Sequence, residues 1–178
     1  NQFRFTEADQ GSDTINDFTT GTNQIVFEVE ENSDSADLFG NSGFTFQEAG
    51  SGDDDIGATV TDVSSGDFQS GDAASVTDSD FDQNITILTE SGGFSDLADA
   101  VDTIDDNVSD SNGLDDGDVG ILGFFNSTND AFEIWNVTDA NGADSTADAS
   151  GDLLATLADV GPTGISLSES NFGLIDIA

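Results

Sequence analysis

The sequence predicts an all-β fold, mainly antiparallel and sandwich- or β-roll-like, with one short amphipathic helix near residues 94–108. Three observations lead there. Short runs of alternating apolar and polar residues recur along the chain, bounded by Gly, Asn and Asp. The hydrophobic content of 35% is low for a globular domain but sufficient for a thin sandwich or roll. Only one segment has sustained helical spacing. The 14 Phe and single Trp, interleaved with Ile, Leu and Val, argue against the disorder usual in acidic chains.

Taken in order, Phe3–Phe5, Thr14–Phe18 and Gln24–Val29 read as strands punctuated by Gly11 and Gly21. Residues 31–80 are the most polar part. They read as a long loop-like excursion with brief strand signals at Phe44–Phe46 and Ala58–Val63, too rich in Asp to pack alone. Asn84–Leu88 is a strand. After Gly92 and Gly93, the apolar residues Phe94, Leu97, Ala98, Val101, Ile104 and Val108 define a helix face whose opposite side is Asp. Val119–Phe125 and Ala131–Val137 flank the turn Asn126–Asp130 and form a hairpin. Leu153–Val160 fits either a short helix ended by Gly161-Pro162 or a strand. Phe172–Ile177 is a last strand. Two regions, 1–80 and 81–178, are expected to form one continuous domain.

Charge narrows the function. There are 38 acidic residues against one base, Arg4, and no His, for a formal charge of −37. Self-repulsion at that density opposes compaction, so cations or high salt must offset it. Arg4 is expected to pair with a neighbouring carboxylate. The absence of His, Cys, Lys, Tyr and Met removes most common catalytic bases, nucleophiles and soft-metal ligands. Nothing marks a pair of carboxylates as a glycosidase centre. Nucleic acid and anionic membranes would be repelled, and no apolar run is long enough to insert in a bilayer. The start at Asn1 suggests a processed product or a fragment of a longer precursor. Without Cys there are no disulfides, and calcium, a hard cation that takes oxygen ligands, is the expected substitute.

Several loops are candidates to hold Ca2+. Asp9, Asp13 and Asp17 are spaced around Gly11. Gly50-Ser-Gly52-Asp53-Asp54-Asp55-Ile56 has the glycine–aspartate–aliphatic pattern of a calcium-binding parallel β-roll, in which glycines turn the chain, Asp faces the ion and the aliphatic residue plugs the core. Asp110-Ser-Asn112-Gly, with Asp116 and Asp118, and Asp139-Ala-Asn141-Gly, with Asp144, begin like EF-hand loops but lack the bidentate Glu at position 12. Asp-Gly and Asn-Gly are also ordinary turn dipeptides. Sequons at Asn84, Asn107, Asn126 and Asn136 barely exceed what the Ser and Thr content produces by chance. Trp135 and the Phe residues read as core.

The run Gly11-Ser-Asp13-Thr-Ile15-Asn-Asp17-Phe18-Thr-Thr-Gly21-Thr-Asn23-Gln-Ile25-Val-Phe27 resembles the stretch after the calcium-binding repeats of RTX proteins, bacterial proteins exported by type I secretion. Its pattern there is roughly G-x-D-x-I-x-D-F-x-x-G-x-(D/N)-x-I-x-(F/L). Phe124-Phe125-Asn126, Phe132-Glu-Ile134, Asp139-Ala-Asn141-Gly142, Leu154-Ala-Thr-Leu157 and Leu167-Ser-Glu-Ser-Asn-Phe172 follow in the order of RTX C-terminal modules, including those of serralysin-like proteases. The tail Phe172–Ala178 is similar to type I export signals. The resemblance implies a strand at Leu153–Val160 and calcium at Asp13, Asp17 and Asp54. The long tandem of glycine-rich nonapeptides is missing, and there is no catalytic domain.

These readings converge on a secreted, extracellular or cell-surface calcium-binding structural protein that self-assembles into a filament or surface layer. Its terminal strands Gln2–Phe5 and Phe172–Ile177 are candidates to add to a neighbour's sheet. The alternative is a C-terminal secretion and folding module of a larger type I-secreted adhesin or exoenzyme. A third reading, acidity as adaptation to high salt, would let potassium replace calcium.

Overall fold

The computed structural model describes residues 1–6, 12–32, 35–38, 41–46, 61–63, 68–76, 85–107, 119–138, 150–158, 160–162 and 166–176. Twelve strands form two six-stranded sheets: β1 (Gln2–Phe5), β2 (Asp13–Ile15), β3 (Gln24–Asn32), β4 (Ser35–Leu38), β5 (Asn41–Phe46), β6 (Thr61–Asp62), β7 (Phe68–Gly71), β8 (Ile85–Leu88), β9 (Val119–Asn126), β10 (Ala131–Thr138), β11 (Ser150–Leu157) and β12 (Phe172–Asp176). Among the described residues the one α-helix is α1 (Leu97–Asn107). The fold is thus all-β with a single short helix.

The first sheet runs β5-β4-β3-β12-β6, and the second β2-β11-β10-β9-β8-β7. In the first sheet β1 also pairs with β3, along residues 24–27, while β4 takes residues 29–32. Since β12 pairs with residues 25–29, β1 and β4 must share the other edge of β3. Parallel pairings (β1–β3, β3–β12, β2–β11, β7–β8, β8–β9) are as frequent as antiparallel ones among the described residues. The longest ladders, β9–β10 and β10–β11, are antiparallel, and the sheets as a whole are mixed. Where the chain crosses to the other sheet and back, as from β1 through β2 to β3, it returns in the same direction. β8 and β9, within one sheet, are joined by a crossover that contains α1.

The start of the chain shows this winding. β1 lies in the first sheet, β2 in the second and β3 back in the first, beside and parallel to β1. The end of the chain repeats the move. β11 and β12 cross from the second sheet to the first, stacked on β2 and β3 in register, with Ile15 opposite Leu157 and Phe27 opposite Leu174. Three rungs result, each an amide residue followed by apolar–x–apolar: Gln2-Phe3-Arg4-Phe5, Gln24-Ile25-Val26-Phe27 and Asn171-Phe172-Gly173-Leu174. The amides tie the rungs together. Gln2 Nε2 donates to Gln24 Oε1 (3.5 Å), Gln24 Nε2 to the Phe172 carbonyl (3.4 Å), and Asn171 Nδ2 to the Asn23 carbonyl (3.2 Å).

Alternation along the strands makes two apolar layers. Between the sheets lie Phe5, Ile15, Phe18, Ile25, Phe27, Ile85, Ile121, Phe132, Ile134, Leu157, Phe172 and Leu174. Phe172 is at the centre, stacked on Phe27 (centroids 6.3 Å apart, planes 11° apart) and tilted against Phe68 (5.7 Å). On the outer face of the second sheet, α1 buries Ala100, Val101 and Ile104 against Leu122, Phe124 and Val137. Strand β8, covered on both faces, is buried at all four positions, which is why Ile85-Thr-Ile-Leu88 does not read as a clean alternation.

The helix starts three residues later than the apolar spacing suggests. Phe94 bridges to the second sheet instead: its N–H donates to the Phe125 carbonyl (2.9 Å), and its carbonyl accepts from Ser127 N–H (2.7 Å). Asp96 Oδ1 then accepts from Asp99 N–H (2.9 Å), and Asp99 Oδ2 from Ser95 N–H (2.8 Å). One first-turn donor and the N–H of Ser95 just ahead of the helix are satisfied, and both carboxylates sit at the positive end of the helix.

Gly93 makes this approach possible. Its φ is +62°, and a Cβ there would lie 2.4 Å from the Phe125 carbonyl oxygen. Gly93→Ala is expected to cost about 2 kcal/mol, adding left-handed strain to a backbone clash. Thermal unfolding of the variant would read it, and a melting temperature unchanged within error would show that the turn relaxes freely.

Residues 31–80 hold more order than a loop-like excursion: β4, β5, β6 and β7 all fall there. Leu153–Val160 is a strand through Leu157. Ile134 pairs with Ala155 but Trp135 with Leu153, so Leu154 is an extra residue in a β-bulge. The bulge breaks the alternation and leaves Leu153, Leu154 and Leu157 with spacing that imitates a helix.

Candidate metal sites

Of the residues expected to bind calcium, Asp13 and Asp17 lie among those described. Asp9, Asp53, Asp54, Asp55, Asp110, Asn112, Asp116, Asp118, Asp139, Asn141 and Asp144 lie outside them. Asp13 opens β2 opposite Ala155 and is exposed. Asp17 is exposed too, and its backbone is left-handed with φ +58°.

The local sequence explains these positions. Ile15 and Phe18 are buried, so Asn16 and Asp17 must lie outside the core. The chain then turns sharply, with the Thr19 carbonyl accepting from Thr22 N–H (3.2 Å), Asn23 N–H (3.0 Å) and Thr22 Oγ1 (3.1 Å). Gly21, at φ +79°, closes the turn. Asn23 is buried and holds the turn from inside; with its amide set to satisfy both ends, Oδ1 accepts from Thr19 N–H and Nδ2 donates to the Thr22 carbonyl. The chain re-enters the core at Ile25 and Phe27. The spaced pattern from Gly11 to Phe27 is therefore the pattern of one crossing between sheets: apolar positions plug the core, Gly21 and Asn23 make the bend, and Asp13 and Asp17 stay outside.

Among the described residues no three acidic side chains converge. Calcium takes six to eight oxygens, so Asp13 and Asp17 supply at most a part of a site on this surface. Arg4 is exposed, and the carboxylates nearest to it in sequence, Glu7 and Asp9, lie outside the described residues. It borders a cleft of ≈ 340 Å³ between β1 and β2, lined by Gln2–Phe5 and Asp13–Ile15.

Two carboxylates stand out in the structure but not in the sequence reading. Glu133 is 2% exposed, on the helix-side face of β10. Its carboxylate accepts from Asn129 Nδ2 (2.7 Å), Asn126 Nδ2 (3.0 Å) and Trp135 Nε1 (3.0 Å). Asn126 Oδ1 in turn accepts from the Thr128 and Asn129 N–H groups (2.9 and 3.0 Å), which shapes the hairpin turn together with Asp130 at φ +53°. A buried anion is here solvated by three N–H donors in place of a base. Its sequence signal was a lone Glu inside the apolar run Phe132-Glu-Ile134-Trp135. Burial of Asn126 also removes that sequon from the accessible surface of the folded chain. The second carboxylate, Glu90, accepts from Ala73 N–H through Oε1, whereas Oε2 is buried with no hydrogen-bond partner. One oxygen is a small fraction of what calcium requires.

No helix of the described residues is long and apolar enough to cross a membrane. Comparison with family models, with curated proteins and with solved structures finds no match to this chain.

Proposed function

We propose that this chain is a secreted, non-catalytic calcium-binding protein that self-assembles into an extracellular filament or surface layer. The observation that carries this reading is the charge: −37 on a β-sandwich with a single Arg. Folding alone concentrates these carboxylates, and packing copies together concentrates them further. A divalent cation shared between carboxylates offsets both costs. The exposed positions of Asp13 and Asp17 support it, since neither is used inside the fold. The Asp/Gly loops at residues 50–56, 110–118 and 139–144 supply the remaining candidate ligands. The spaced run from Gly11 to Phe27 favours a second reading, a C-terminal folding module of a larger type I-secreted adhesin or exoenzyme. The length of open reading frame upstream of Asn1 discriminates the two.

Calcium should raise the melting temperature. One site held at a hundred times its Kd adds about 2.7 kcal/mol, roughly 5–10 °C for a chain of this size. Potassium at matched ionic strength should not reproduce the shift. Light scattering and electron microscopy of the same samples should show assembly at millimolar calcium and its loss on adding a chelator. Equal stabilisation by potassium, or a chain that stays monomeric at millimolar calcium, would sink the reading.

A further inference from the structure

The three stacked rungs are closed at one end and open at the other. On the far side β12 pairs with β6, and Val63 N–H donates to the Phe172 carbonyl (3.3 Å), so Phe172–Leu174 has neighbours on both edges. Of the two terminal strands, it is not the one free to add to a neighbour. On the near side, among the described residues, β1 pairs only with β3 and β2 only with β11. Among the described residues β1 and β2 each have one unpaired edge, with the cleft between the two strands.

The hydrogen-bond phase identifies which groups face outward. In a parallel ladder a bonded residue uses both N–H and C=O toward the same neighbour, and its flanking residues point theirs away. Asn1 is such a residue: its nitrogen donates to the Thr22 carbonyl (2.9 Å), and its carbonyl accepts from Gln24 N–H (2.9 Å). Phe3 and Phe5 follow in the same phase, so Gln2 and Arg4 direct their backbone donors and acceptors to the open side. The end rung of a stack ordinarily carries a polar cap. This one offers Phe3, half-buried, and, at Gln2 and Arg4, backbone groups that pair with no strand among the described residues.

Charge selects the occupant. Residues 1–6 contain no carboxylate and include the chain's only Arg or Lys, in a molecule with 38 acidic residues. A strand approaching β1 meets a cation, whereas most of this surface would oppose a second copy with like charge. We infer that a second copy of this chain adds one of its strands alongside β1, continuing the rungs across the interface. This inference rests on the self-assembly reading and supplies its contact surface.

Sedimentation velocity on the full chain tests it in two solutions, millimolar calcium and chelator with about 1 M sodium chloride, where repulsion is screened over a few ångströms. The variants are Gln2→Pro, which removes an outward N–H at a strand start that tolerates proline, and Arg4→Glu, which reverses the attractive charge on an exposed side chain. Circular dichroism should match the wild type, because the β1–β3 backbone ladder uses Asn1, Phe3 and Phe5; Arg4→Glu should melt with the wild type, and Gln2→Pro only slightly below it, through loss of the exposed Gln2–Gln24 amide bond. Self-association of Gln2→Pro should weaken at least about tenfold in both solutions. Arg4→Glu should weaken it mainly where salt is low. Association in calcium that neither variant changes would overturn this inference and leave calcium-driven assembly standing. Association in salt alone that Gln2→Pro abolishes would uphold the inference and remove calcium as the necessary glue. A wild type that stays monomeric in both solutions would overturn both.

Discussion

Truncating Phe172 to alanine is expected to remove about 3–5 kcal/mol of folding free energy, the range for deleting a fully buried aromatic ring that cannot be replaced by collapse. Phe172 is 0% exposed and lies between the sheets, against Phe27 of its own sheet and Phe68 of the facing one. The cavity would open where three strands meet, and each is held by backbone pairing that resists inward movement. Urea is the denaturant of choice, because guanidinium would screen the −37 charge while unfolding the chain. With a slope of about 2 kcal/mol per molar, the midpoint should fall by roughly 1.5–2.5 M. Phe172→Leu should lose less than half as much. Equal midpoints for wild type and the alanine variant would mean that the two sheets are not packed through this ring.

Glu133→Leu should be nearly as costly, about 3–4 kcal/mol, for a different reason. It leaves Asn126 Nδ2, Asn129 Nδ2 and Trp135 Nε1 without their common acceptor, and a buried orphaned donor costs about 1–3 kcal/mol. Glu133→Gln keeps one acceptor oxygen but turns an NH2 toward other donors, so a loss of about 2 kcal/mol is expected. Trp135 is the only tryptophan, so its fluorescence reports both the unfolding transition and the local change. The competing outcome is informative: buried ionic groups are sometimes replaced by apolar ones without loss. A leucine variant as stable as the wild type would show that these donors find water or other partners.

The elements legible in the sequence were those whose burial is one-sided and regular. The hairpin of β9 and β10 and the strand β3 show alternation, and α1 shows its apolar stripe at Leu97, Val101 and Ile104. Their partners were not legible. Alternation says that Phe3, Ile25 and Phe172 face a core, but not that the three stand side by side in one parallel stack across 170 residues of chain. β7 escaped notice because Phe68-Gln-Ser-Gly71 is short and only half-buried. The candidate calcium loops show the opposite imbalance. Asp/Gly spacing is readable in the text, but which carboxylates converge depends on tertiary placement, and Asp13 and Asp17 alone do not make a coordination sphere. Glu133 was hidden because one acidic residue among 38 carries no distinguishing pattern until its donors are in place.

The amide ladder also sets an order of events in folding. Gln24 reaches Phe172, and Asn171 reaches Asn23, each across 148 positions of sequence. β3 thus waits for one of its three partner strands until the segment around residue 172 is available, and a chain delivered N-terminus first has an incomplete first sheet until that segment emerges. Closing so long a loop is slow compared with forming a local hairpin such as β9–β10. Refolding should therefore show the hairpin and helix layer gaining protection from hydrogen exchange before β3 does. The second sheet's hairpin can thus be in place while the first sheet still waits for β12 to complete it.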